Sequence, residues 1–395
     1  MKGVYLARLT YVSVMLFGLS FATAQDFFGF EPKTYNGEML SADTLQQMVS
    51  AAKEVTPPKN GKNYVFAFAN LQRDIAFGIL TEQGIVKNAE AAGIELVIAD
   101  NRLDGPTALS NAQSFVQRNV DFVIEFQTDA NFGSVIMEGF NNADTPVIAI
   151  DIPMEGATFF GANNPRSGFM GGSYLVQAAQ AKFGDRLNDG YLVIGALPQS
   201  GAIPALRTGG QRAGFLASDE GFPEDHIIEI DTKNTLEESF SQMSNALGRI
   251  PEGVPVMGIA INDQATTGML RAVQTAGREA DALFVGMGAD ELDTLTGEPE
   301  FIASPGYFPE RYGNYLVPTA LATLAGREVP AAVLVNHVMV TPMNVCEYYE
   351  DRECKTPEGY PDFTYEFPQD AYQAHLESVR ANPDYAGYEA IIPAE

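Results

Sequence analysis

From Lys62 onward the chain alternates short apolar runs with longer segments of helical periodicity, and it does so twice. Tyr64–Ala69 reads as a strand and Phe77–Ala92 as a helix closed by Gly93. Strand 94–99, a helix near 107–118, strand 122–126, a helix near 132–142 and strand 147–150 follow. Strict alternation with short connections demands parallel strands, because each helix returns the chain to the edge it started from. After Pro165 the pattern restarts: helix 166–183, strand 191–195, helix 204–218, strand 227–230, helix 235–248, strand 256–261, helix 263–276 and strand 283–287. Two such sets predict two similar α/β lobes. A strand at 301–304, a helix near 309–324 and a strand at 333–340 are left over, and they are placed to cross between the lobes and complete both sheets.

The 395 residues suffice for two such lobes with appendages, and 46% hydrophobic content can fill their cores. Lys and Arg number 24 against 51 Asp and Glu, a net charge of −27. That field repels a phosphate backbone, so nucleic-acid binding is not expected. At the N-terminus Lys2 and Arg8 precede an apolar run, Leu9–Phe21, and a small-residue site, Ala22-Thr23-Ala24. The run is shorter than a bilayer span requires, so residues 1–24 read as a cleaved signal peptide with Gln25 the first mature residue. Losing Lys2 and Arg8 would take the charge to −29. Cys346 and Cys354 are the only two cysteines, and in an exported chain they are expected to form a local disulfide. His226, His337 and His375 are scattered, so no metal site is expected, and no cofactor motif occurs. Residues 25–61 read as a helical arm, with a helix near 43–54, and a linker through Pro57-Pro58-Lys59-Asn60-Gly61.

In open parallel sheets the ligand crevice lies at the carboxyl ends of the strands. There the sequence places Asp74, with Phe77 beside it, then Asp151 and the aromatic Phe159; Arg207 and Asp263 follow, and finally Tyr307. Carboxylates accept from paired hydroxyls, a guanidinium donates, and aromatic rings cover an apolar C–H face, a set suited to a polyhydroxylated ligand. Each residue has a plainer role available. Asp263 can cap the helix that starts there, Phe77 can be core, and Arg212 reads as a solvated helix residue. No Walker loop, H-E-x-x-H, G-x-S-x-G or EF-hand loop is present. A pair such as Asp151 and Asp263 could in principle hydrolyse a glycoside, but nothing else in the sequence supports an enzyme.

PVIAID at 146–151, AINDQATTGMLRAVQTAG at 260–277 and FPERYG at 308–313, following a signal peptide, resemble the ribose-binding-protein-like solute receptors of bacterial ABC transporters. The resemblance spans about residues 62–340. It implies the type I periplasmic binding protein fold, two Rossmann-like lobes with parallel sheets joined by three crossing segments, and no catalysis. Carried over by motif, Asp263 and Asp151 would be ligand carboxylates, Arg207 the donor, with Arg212 the alternative because the spacing differs, and Phe77 the aromatic near the first helix. Ribose-type members follow the fourth-strand Asp with Arg, where this chain has Ile152, and they carry an amide where Tyr307 stands, so the implied ligand is a small neutral sugar or polyol. The implied domains are an N-terminal lobe of 62–162 plus 308–337, a C-terminal lobe of 163–307 plus 338–345, and an extension of 346–395. The crossings are expected near 162–164, 287–291 and 304–308. The implied partner is a membrane ABC permease, the implied location of this chain is the periplasm, and a monomer is expected. Alternatives are a receptor for a chemotaxis or kinase ectodomain and a secreted glycoside hydrolase.

Overall fold

The computed structural model describes residues 27–219 and 221–393. The expected signal peptide therefore lies outside the described residues. The arm contributes α1 (Ala42–Val55), whose Ser41 side chain accepts from Thr44 N–H at 3.1 Å and caps the first turn. Leu45, Met48 and Ala52 lie along its buried face. The first alternation follows as β1 (Val65–Asn70), α2 (Ala76–Ala92), β2 (Glu95–Asp100), α3 (Gly105–Gln117), β3 (Phe122–Glu125), α4 (Gly133–Asn142), β4 (Val147–Ile150) and β5 (Thr158–Ala162). The second is α5 (Asn164–Phe183), β6 (Tyr191–Ala196), α6 (Ala202–Ala217), β7 (Ile227–Asp231), α7 (Leu236–Leu247), β8 (Val256–Ala260), α8 (Asp263–Thr275), β9 (Ala282–Val285), α9 (Leu292–Gly297) and β10 (Phe301–Gly306). The chain closes with α10 (Gly313–Leu324), β11 (Ala332–Val335), β12 (Val338–Val340) and α11 (Gln369–Ala381).

The two sheets repeat one topology. The first runs β2-β1-β3-β4-β5-β11 and the second β7-β6-β8-β9-β10-β12, each with six strands. All pairings are parallel except β10 with β12. The strand interiors, such as Phe122–Glu125, Val147–Ile150 and Val256–Ala260, are buried throughout because helices cover both faces. In each sheet the strand order reverses beside its first strand, and the crevice of a doubly wound sheet opens at that reversal.

Two sequence expectations change here. Thr158–Ala162 is a strand, β5, which the sequence reading does not mark; it pairs with β4 on one side and β11 on the other, so its Phe-Phe pair is packed inside the sheet. The single strand expected at 333–340 divides into β11 on the first sheet and β12 on the second. The chain consequently passes between sheets at 162–164, 306–309 and 335–338. The crossing expected at 287–291 does not exist, since β9 and β10 are neighbours in one sheet.

The C-terminal extension is ordered against both halves. Cys346 and Cys354 are bonded, with Cα atoms 5.2 Å apart. Beyond them Tyr360 and Tyr365 meet Tyr174 and Ser173 of α5 through hydroxyl pairs at 2.6 and 2.9 Å. α11 then buries Tyr372, Leu376 and Val379 in a cluster with Phe159 of the first sheet and Phe169, Ile203 and Leu206 of the second half.

Candidate functional site

The carboxyl ends of the two sheets face one another across a narrow cavity of about 60 Å³, well below the ~300–1,000 Å³ of sites that enclose a drug-sized ligand. From the first sheet it is lined by Leu71, Ile75, Phe77, Phe126, Thr128, Asp151 and Ile152. The second half supplies Leu197, Ser200, Pro204, Arg207, Asn234, Ile261, Asn262 and Met287, and Tyr307 stands at the second crossing. At its mouth a bond joins the halves: Ser200 Oγ donates to the carbonyl of Thr128 at 2.6 Å. A Cβ on Gly201 would lie 3.1 Å from Ala130 Cβ, so the two lips touch there.

Asp151 follows β4 directly and holds a left-handed φ of 58°, a costly conformation for a residue other than glycine. β5 holds it there. Asp151 N–H donates to Phe160 O at 3.0 Å, and Ala162 N–H donates to Asp151 Oδ1 at 2.9 Å. Gly161 makes this approach possible, because a Cβ there would sit 2.4 Å from that oxygen. Burial pushes the Asp151 carboxyl up from its ordinary value, against the opposing pull of the Arg207 guanidinium and the Ala162 N–H.

Arg207 projects from α6 and is itself buried. Its Nε donates to Asn164 Oδ1 at 2.8 Å and its Nη1 to Ile261 O at 2.6 Å, while its guanidinium lies 5.0 Å from the centre of the Tyr307 ring. Arg212 points elsewhere, pairing with Glu224 at the surface at 2.6 Å. Of the two arginines, Arg207 lines the cavity and Arg212 does not. Phe77 meets Phe126, Tyr307 and Tyr312 edge-on, with ring centres 5.8–6.4 Å apart.

Phe77, Asp151, Arg207 and Tyr307 are thus brought together, and three other sequence candidates are not. Asp74 is exposed and accepts from Gln72 Nε2 at 2.5 Å. Phe159 points to the opposite face of its strand, into the cluster under α11, because side chains alternate along β5. Asp263 is fully buried outside the cavity lining. Its carboxylate accepts from Met287 N–H at 2.5 Å, Ser304 Oγ at 2.7 Å, Asp290 N–H at 2.9 Å and Glu291 N–H at 3.2 Å. Gly286 makes room for it, since a Cβ there would lie 2.0 Å from Asp263 Oδ1. The helix cap itself is Asn262, whose Oδ1 accepts from Ala265 N–H at 2.8 Å. Asp151 and Asp263 therefore do not form a carboxylate pair around the cavity.

Sequence reasoning missed His337. It lies in the third crossing, accepts at Nε2 from Asn163 N–H of the first crossing at 3.0 Å, and donates from Nδ1 to Gly306 O of the second at 3.1 Å. Its ring packs on Tyr307 with centres 4.4 Å apart. One neutral imidazole thus ties the three crossings together, and burial lowers its pKa to about 3. A lone histidine between two short strands carries no sequence signal for this role.

Residues 66–297 match the family model described as a periplasmic binding protein domain. This chain belongs to the periplasmic binding protein family. A curated relative, the ribose import binding protein RbsB of Bacillus subtilis, is 24% identical over 309 residues, covering 73% of this chain and 94% of the relative. Among solved structures, an ABC transporter solute binding protein from Bacillus halodurans with bound myo-inositol aligns with a TM-score of 0.61 at 21% identity, over 72% of this chain and 97% of that one. A periplasmic solute binding protein from Actinobacillus succinogenes with bound D-allose gives 0.62 at 18% identity, over 72% and 100%. These likenesses extend to the whole two-lobed fold. They leave part of this periplasmic binding protein unmatched, consistent with a chain that carries its own N-terminal arm and C-terminal extension.

Proposed function

We propose that this protein is the extracytoplasmic binding component of an ABC transporter, capturing a small neutral sugar or polyol between its lobes and presenting it to a permease. The observation that carries this reading is the cavity between the two sets of strand ends, which Asp151 and Arg207 line together with the rings of Phe77 and Tyr307. One carboxylate and one guanidinium leave no net charge for an ionic ligand to balance, whereas hydroxyls can use both. The N-terminal lobe is assigned to 62–162 plus 308–337 and the C-terminal lobe to 163–307 plus 338–345. Periplasmic location and a monomeric state fit the signal-like N-terminus and a charge of −27. The engagement of all of Asp263 by backbone and Ser304 favours binding over glycoside hydrolysis, which needs a second free carboxylate.

Native mass spectrometry of the purified protein, followed by release and identification of any retained molecule, tests the reading. A neutral sugar or polyol that rebinds in calorimetric titration supports it. A retained amino acid, peptide or anion would overturn it.

A further inference from the structure

The second crossing, 306–309, contains a strained residue. Phe308 has φ 56° and ψ 57°, the left-handed region, where a bulky side chain is an outlier. Ala289, in the turn after β9, is left-handed as well, with φ 54°. Turn and crossing are zipped together: Gly288 N–H donates to Pro305 O and Tyr307 N–H to Gly288 O, both at 2.9 Å. Backbone in such a conformation persists only where its surroundings hold it, and hinge residues are the ones that absorb a change of φ and ψ when lobes move.

The restraint on both residues comes from the C-terminal extension, in the loop between Cys346 and Cys354. Tyr348 and Tyr349 pack on the Phe308 ring with centres 5.6 and 5.8 Å away, and Tyr349 Oη donates to Ala289 O at 2.8 Å. Arg311, whose guanidinium lies 4.6 Å from the centre of the same ring, donates from Nη2 to Tyr348 O at 3.2 Å. Arg352 pairs with Asp293 of α9. Phe308 is also pressed on Gly306, where a Cβ would lie 3.0 Å from its Cζ. Within the loop the regular structure is a single 3-10 turn, Val345–Glu347, and both cysteines are exposed. The disulfide therefore supplies the restraint that secondary structure and burial do not. We propose that this loop is a splint on the hinge: it keeps Phe308 and Ala289 left-handed and thereby fixes the lobes in the arrangement where Ser200 meets Thr128. The main allowed regions for a phenylalanine outside this one have negative φ. Without the splint Phe308 relaxes into one of them, the chain joining the sheets turns, and the balance of lobe arrangements moves toward open.

The test compares three ligand-free proteins: wild type with its disulfide intact, Cys346→Ser/Cys354→Ser, and Tyr349→Ala with the disulfide retained. Amide hydrogen exchange and small-angle scattering are read on each. In both variants the Gly288 and Tyr307 amides are expected to exchange about ten- to a hundredfold faster, the equivalent of releasing one strained residue. Amides in β3 and β8 should keep their wild-type rates, and the radius of gyration should rise. Unchanged exchange at Gly288 and Tyr307 overturns the inference. Equal acceleration in β3 and β8 also overturns it, because that marks a general loss of stability. A scattering profile unchanged in both variants overturns it too, since the lobes then keep their arrangement without the splint. Each of these results leaves the sugar-binding reading standing, because no ligand enters the comparison.

Discussion

Replacing Asp263 with alanine separates a ligand carboxylate from a structural one. In the structure this carboxylate takes three backbone N–H groups, from Met287, Asp290 and Glu291, and the Ser304 hydroxyl. Ser304 Oγ in turn accepts from Ala289 N–H at 2.9 Å, so the whole turn after β9 is folded around one side chain. Asp263→Ala orphans these donors in a buried site, and each costs about 1–3 kcal/mol. The loss is partly offset. Burial raises the Asp263 carboxyl, and the charge of Asp263 also pushes up the neighbouring Asp290 and Glu291; removing it relieves both. The net expectation is about 3 kcal/mol of destabilisation. For a unit the size of one lobe that is a fall of about 6–12 °C in Tm. Affinity for the retained ligand should change little in protein kept well below the transition. Asp263→Asn, which keeps one acceptor oxygen, should melt between the two. Scanning calorimetry and calorimetric titration on the same samples decide the matter. If Asp263→Ala melts with wild type but binds ligand ten- to a hundredfold more weakly, Asp263 is the ligand group that the N-D motif implies and the structural reasoning is wrong.

Other consequences follow from the buried groups. Glu125 is fully buried beside Asn101, and burial raises its carboxyl from an ordinary 4.5 to about 8. Its folded form holds the proton longer than its unfolded form, so stability should decline as pH rises from 4.5 through 8, and Glu125→Gln should flatten that limb of a Tm-against-pH profile. His337, depressed to about 3, works on the acid side: the unfolded ring takes a proton below 6.5 while the folded one resists, so its share of stability is lost as pH falls from 6.5 towards 3. His337→Ala should cost about 2–3 kcal/mol through two broken bonds and broaden the lobe-angle distribution seen by small-angle scattering; an unchanged profile and Tm would remove its role as a clasp. Intact mass before and after reduction should show mature protein beginning at Gln25 with one disulfide, whose reduction costs ~2–3 kcal/mol.

The two-lobed fold was legible because buried parallel strands advertise themselves as continuous apolar runs, and nearly every such run from Val65 to Val285 is a strand. β5 escaped because Thr158–Ala162 joins two aromatic residues to a glycine, Gly161, features shared by a ligand loop. The site was half legible. Asp151 and Arg207 lie where strand and helix ends deliver them, and chain order is enough to find such positions. Asp263 occupies an equivalent position in sequence, but whether its carboxylate turns into the cavity or under the 287–291 turn depends on Gly286 and Ser304, across the sheet. Exposure and rotamer are tertiary properties, and no local pattern carries them.

The C-terminal extension bears on how such a site can open. α11 packs Tyr372 and Leu376 against Phe159, with Ala332 and Leu334 at the edge, all on the first sheet, and against Phe169, Ile203 and Leu206 of the second half. Phe159 and Leu334 lie within a few residues of the first and third crossings, so these contacts sit close to any hinge axis. Displacement grows with distance from the axis. A rotation that parts Ser200 from Thr128 at the mouth therefore moves the α11 contacts much less, and the helix can stay docked on both lobes while limiting the angle. Leu376→Ala removes a fully buried side chain from the middle of this cluster, at a cost of about 2–5 kcal/mol. Because the cavity wall is untouched, the ligand contacts remain. The loosened stop should show as a larger radius of gyration without ligand and an unchanged one with it. If the ligand-free protein scatters like wild type while its Tm falls, α11 stabilises the fold but does not restrain the hinge.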